Sequence, residues 1–133
     1  TIGGLLAPGA SASIVVSGNP GRSHLSVAAM LIPTNDTFMA LNNVPLPKNG
    51  SAVYQVPGYD SGTEVNDQSC AHIPGPRCPG GIGYSPEGGE GYVYIGNGFH
   101  ELGEAGEGEA EILGPLVYDW RNSVAQVTVR RMH

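Results

Sequence analysis

Carboxylates and side-chain amides gather in two short stretches of this chain, and the chemistry open to them is cation ligation. Tyr59-Asp60-Ser61-Gly62-Thr63-Glu64 places two carboxylates four positions apart around a glycine turn, with Asn66 and Asp67 close behind. Asp36 lies in Pro33-Thr34-Asn35-Asp36, at the end of an apolar run that reads as a strand. Ca²⁺ takes roughly six to eight oxygen ligands, chiefly carboxylates and carbonyls on flexible loops. Taken singly, each stretch also reads as an ordinary turn, because Asp, Asn and Gly are turn formers. Neither is an EF-hand loop, whose alternating Asp/Asn spacing is absent.

Other chemistries have less to work with. The sequence holds no Gly-x-Ser-x-Gly, His-Glu-x-x-His or Gly-x-x-x-x-Gly-Lys motif. Its four histidines, His24, His72, His100 and His133, are scattered with no pair at metal-ligand spacing, and read as surface or structural residues. With six Lys and Arg and a net charge of −6, the chain is a poor partner for nucleic acid. Cys70 and Cys78 enclose a short loop containing Pro74 and Pro76. No Cys-x-x-Cys spacing exists for zinc or redox work, so the pair reads as a disulfide, with free thiols the alternative, and a disulfide implies an oxidising compartment. No apolar run reaches the ~18 residues of a membrane span. A start at Thr1, with no signal segment, reads as a processed end or a trimmed one.

The elements that must carry these residues are short strands. Gly (21) and Pro (11) are abundant, helical periodicity is nearly absent, and short or alternating apolar runs recur between turn residues. The runs are Ser11–Ser17, His24–Leu31, Phe38–Leu41, Ser51–Val56, Tyr92–Ile95, Leu116–Trp120 and Ser123–Arg131. Asn49-Gly50 marks a turn before the fourth. In the last, Ala125, Val127 and Val129 fall on one face and Gln126, Thr128 and Arg130 on the other. Trp120 reads as core packing. The spacing predicts one antiparallel β-sandwich domain over 1–133. Two stretches are predicted to be loops: Tyr59–Glu90, without a convincing strand, and the Gly/Glu-rich Glu101–Glu111. A loop as long as the first is usually functional.

Three blocks resemble the spondin N-terminal domain family: Ala28-Ala29-Met30-Leu31-Ile32-Pro33-Thr34-Asn35-Asp36-Thr37-Phe38, Tyr59-Asp60-Ser61-Gly62-Thr63-Glu64, and Tyr118-Asp119-Trp120-Arg121-Asn122-Ser123-Val124-Ala125-Gln126-Val127-Thr128-Val129-Arg130-Arg131. Their order and spacing also fit, and Cys70 to Cys78 with the Gly-Glu-Gly-Tyr near residue 90 is similar to the bacterial branch. The resemblance implies a C2-like β-sandwich, an extracellular setting and a bound calcium ion. It assigns the metal to Asp36, Asp60 and Glu64, the last standing where animal members usually have Asp. It also implies that at least one N-terminal strand of the family is absent here. Only His100 remains of several histidines that bacterial members carry in the stretch matching Val93–His100.

The expected function is that of a calcium-stabilised extracellular module for adhesion or assembly, without catalysis. The rivals are a secreted calcium-dependent hydrolase using His72 or His100, and a metal-free structural subunit. The expected partners are proteins, including copies of the chain itself. Thr1–Ala7, with Ile2, Leu5 and Leu6, is the expected donor of a strand to a neighbour. Head-to-tail donation of that kind builds a filament.

Overall fold

The computed structural model describes residues 4–19, 21–98 and 120–132. They form an all-β structure of antiparallel sheets, with no helix among the described residues. One sheet has the strand order β1-β2-β4-β5, built from β1 (His24–Met30), β2 (Thr37–Pro45), β4 (Gly58–Asp60) and β5 (Tyr94–Ile95). The second pairs β3 (Ser51–Val56) with β6 (Ala125–Arg130).

The two long ladders follow from alternation in the sequence. In β3 and β6 every second side chain turns inward, and their register runs from Ser51 opposite Arg130 to Val56 opposite Ala125. Asn49-Gly50 turns into β3, with Gly50 at φ 65°, and Arg131 secures the turn by donating its N–H to the Gly50 carbonyl. β1 and β2 pair from His24 opposite Pro45 to Met30 opposite Phe38, with a break between Leu25 and Val27. There β2 carries an extra residue. Asn43 absorbs it at φ 53°, a conformation that asparagine tolerates better than most residues. The Ser26 hydroxyl fills the break, accepting from Asn43 N–H and donating to Asn42 Oδ1.

Pro57 is where the chain changes sheets. β3 pairs with β6, Pro57 has no N–H to continue that ladder, and β4 joins β2 instead. Phe38 and Tyr59 stack across this new pairing with ring centroids 5.7 Å apart. β4 covers β2 only from Thr37 to Met39. Beyond Met39, β2 has no ladder partner on that side among the described residues. A cleft of about 480 Å³ opens there, lined by Phe38, Ala40, Val44, Val56, Tyr59 and Val93 among others. The core is correspondingly small. Among the described residues the fully buried apolar side chains are Val56, Ile73 and Cys78, and the inward faces of the strands are only half-buried.

Several expectations are corrected. Ser11–Ser17 belongs to no sheet, because a strand-like sequence needs a neighbour to pair with and none of the described residues supplies one. β4 lies at the start of a stretch expected to hold no strand. β2 runs on to Pro45 rather than Leu41, and β5 is shorter than Tyr92–Ile95. Leu116–Asp119, Glu101–Glu111, His100, His133 and Thr1–Gly3 lie outside the described residues.

Cys70 and Cys78 are joined as a disulfide. Ile73 packs against Cys78 inside the loop, and its neighbour Gly75 presses on the Ile32 side chain, where an added Cβ would lie 2.5 Å from Cγ2. The bridge therefore holds a small satellite core against the end of β1. Closing so short a loop contributes about 2–3 kcal/mol in the chain-entropy account. Reduction is expected to lower the free energy of chemical unfolding by that amount, and intact mass with and without reductant, under conditions that trap thiols, checks the pairing.

Candidate metal site

The β1–β2 turn is built to aim one carboxylate outward. The Thr34 hydroxyl donates to the Leu31 carbonyl and accepts from Thr37 N–H, closing the turn. Asn35 is buried, its Oδ1 accepting from Asp36 N–H and its amide donating to the Val65 carbonyl at 2.8 Å. Asp36 then reaches residues 61–64. Its Oδ2 accepts from Ser61 Oγ (2.8 Å), Thr63 N–H (2.8 Å), Thr63 Oγ1 (2.9 Å) and Glu64 N–H (3.1 Å). Its Oδ1 is buried and has no hydrogen-bond partner.

Asp60 ends β4 and is 4% exposed. Its Oδ1 accepts from Gly62 N–H at 2.8 Å, and its Oδ2 accepts from Asn66 Nδ2 at 3.1 Å and Tyr94 Oη at 3.0 Å. Gly62 makes this tight turn possible. It sits at φ 65°, and its Cα lies against the Tyr92 backbone with no room for a side chain. Burial raises the Asp60 carboxyl above its ordinary value of 3.8. The Gly62 N–H and the Asn66 amide oppose the shift, and the nearby Asp36 charge adds to it. A raised folded-state pKa means that protonated Asp60 contributes stability below 3.8, and that this contribution is lost as pH rises through the folded value. The Asp60 carboxyl is met by neutral donors alone: Gly62 N–H, the Asn66 amide and the Tyr94 hydroxyl. Tyr94 is pushed up by burial and by Asp60 and Glu90, so its phenol stays a donor.

The sequence-predicted residues are only partly brought together. Asp36 and Asp60 feel each other's charge. Glu64 reaches Asp36 through its backbone, while its carboxylate Oε2 is turned aside to accept from Ser85 N–H at 2.7 Å. Among the described residues no three His, Cys, Asp or Glu side chains form a metal-holding group. Asp67, expected as a further oxygen near the site, instead bonds Ser69 N–H and pairs with the His72 ring. Sequence reasoning missed Tyr94 and Glu90, which share the Asn66 amide with Asp60. Trp120 is half-buried, donating from Nε1 to the Gly96 carbonyl, and Asn122 Oδ1 accepts from Gly58 N–H, so the two clamp β4 to β5.

A buried acceptor with no donor costs free energy that a cation beside it removes, and Asp36 Oδ1 is such an atom. The chain matches no protein-family model, and no curated protein or solved structure matches it.

Proposed function

We propose that this chain is a calcium-binding extracellular module that serves adhesion or assembly rather than catalysis. Asp36 and Asp60 are its main ligands, and Glu64 joins them when it exchanges Ser85 N–H for the ion. The observation that carries this reading is the buried, unpartnered Asp36 Oδ1 beside a second buried carboxylate. The likeness of three sequence blocks to spondin N-terminal domains supports the same ligands and a sandwich of the two sheets. The disulfide supports an oxidising, extracellular setting, and no helix among the described residues is long and apolar enough to cross a membrane.

In this reading the ion ties the β1–β2 turn to the end of β4 and to the segment leading into the disulfide loop. It binds the folded chain alone and so stabilises it by mass action, by about 2.7 kcal/mol at a free concentration of ~100 Kd. Thermal unfolding is expected to shift upward on adding Ca²⁺ and to return with chelator. Calorimetry on Asp60→Asn is expected to give an affinity at least ~10-fold weaker, since ligand charge sets Ca²⁺ affinity. The same change sets an amide nitrogen against either Gly62 N–H or the Asn66 and Tyr94 donors, so the cation-free variant is expected to melt lower than the parent at neutral pH. An unaltered calcium affinity would overturn the assignment.

A further inference from the structure

Ser11–Ser17 is the feature that neither the fold nor the candidate site accounts for. It has the sequence of a strand, Ser-Ala-Ser-Ile-Val-Val-Ser, yet it lies outside both sheets. Ile14, Val15 and Val16 are 59%, 75% and 57% exposed. Among the described residues, the only backbone hydrogen bond in residues 4–17 is the local turn from Ala10 N–H to the Ala7 carbonyl. A strand's period of two would put Ala12, Ile14 and Val16 on one face, and Ser11, Ser13 and Ser17 with Val15 on the other. One face is thus apolar and the other mostly hydroxyl, the pattern of a strand with one side buried.

The same chain holds the complement. β2 beyond Met39 has an edge without a ladder partner among the described residues, and the apolar cleft runs along it. That stretch of β2, through Pro45, is about as long as the six residues of Ala12–Ser17. The small core adds the need. Half-buried strand faces around the cleft are apolar surface for which the described residues supply no cover. The segment leaves the fold beside Leu46, at the end of β2, and the structure places it outside its own cleft.

We propose that Ala12–Ser17 of one copy of this chain adds as a strand to the open edge of β2 in a second copy, with Ala12, Ile14 and Val16 in the cleft. Backbone hydrogen bonds to β2 supply affinity, and the cleft supplies the choice of face, as in other strand additions. Donor and acceptor are different surfaces, so each chain offers one of each and the contact propagates head to tail. The proposal thus places the donor in the segment after Thr1–Ala7, the donor expected from the sequence. Nothing in this contact uses Asp36, Asp60 or Glu64, so it stands or falls separately from calcium binding.

The test is sedimentation of the whole chain over a wide concentration range, in calcium and in chelator. The parent is expected to show a concentration-dependent series from dimer upward. Ile14→Asp with Val16→Asp should remain single, and Val15→Asp, on the other face, should assemble like the parent. Val44→Glu blocks the acceptor. It should remain single alone, yet form a dimer and nothing longer when mixed with the Ile14→Asp/Val16→Asp chain. A labelled peptide of residues 9–19 should bind the Ile14→Asp/Val16→Asp chain and cap the parent's series. Circular dichroism checks that the variants keep their strands; if Val44→Glu unfolds, the peptide measurement decides alone. A parent that stays single at every concentration overturns the proposal, whether the peptide binds or not. So does a series undiminished by Ile14→Asp with Val16→Asp.

Discussion

Asp36→Ala is expected to abolish calcium binding and to destabilise the cation-free chain by about 3 kcal/mol. The second effect needs no ion. One carboxylate oxygen accepts from Ser61, from both the backbone and side chain of Thr63, and from Glu64. Hydrogen bonds to a charged acceptor contribute about 1.5–3 kcal/mol each, but donors sharing one oxygen do not add in full. Alanine leaves all of them without their acceptor. Asp36→Asn separates the two roles. Its amide oxygen can still accept from residues 61–64, with the nitrogen placed where the unpartnered Oδ1 stands. Stability should fall by much less, while calcium affinity should fall as far as in the alanine variant. Urea unfolding in chelator, beside calorimetry with Ca²⁺, reads both. An Asp36→Asn chain that binds calcium like the parent would remove Asp36 from the ligand set.

Gly62→Ala is expected to cost about 3 kcal/mol, and Gly50→Ala, at the same φ of 65°, only about 1 kcal/mol. The contrast isolates contact from conformation. Both glycines occupy the left-handed region, where a Cβ costs about 1–2 kcal/mol. At Gly50 nothing stands within 4 Å of an added Cβ, whereas at Gly62 the Tyr92 backbone already occupies that space. The Tyr92 segment is itself held, since Gly91 N–H bonds the Gly62 carbonyl at 2.8 Å. The Gly62 change should therefore push apart Asp60, Thr63 and β5, and weaken calcium binding as well. Equal losses at the two positions, measured by chemical unfolding, would refute the close approach.

What could be read from the sequence divides along physical lines. β3 and β6 were legible because each alternates on its own, and the buried face of one is matched by the other. β4 was not, because Gly58-Tyr59-Asp60 has no pattern of its own and becomes a strand through its pairing with Thr37–Met39. Ser11–Ser17 shows the converse: it alternates like a strand but pairs with none of the described residues, because a ladder is a property of two segments. At the candidate site, Asp36 and Asp60 stood out as carboxylates in turn sequences, and only the likeness to the spondin blocks paired them. Tyr94 was not, since it meets Asp60 from 34 positions away and looked like any strand tyrosine. Glu64 was legible as a carboxylate, but its attachment to Ser85 depends on how a long loop returns.

The pairing of β3 with β6 also fixes the order in which the chain can mature. Ser51 meets Arg130 and Val56 meets Ala125, so residues 57–124 must be synthesised before β3 has its partner. β1, β2 and β4 all lie within residues 24–60 and close their ladders over short sequence separations, which cost little entropy and form early. Until β6 arrives, β3 stands attached at Pro57 to an already formed sheet, with both its edges open and Tyr54 without Val127 opposite it. A chain stalled or cut before Ala125 should therefore gather as aggregates rather than accumulate as a shortened soluble fold.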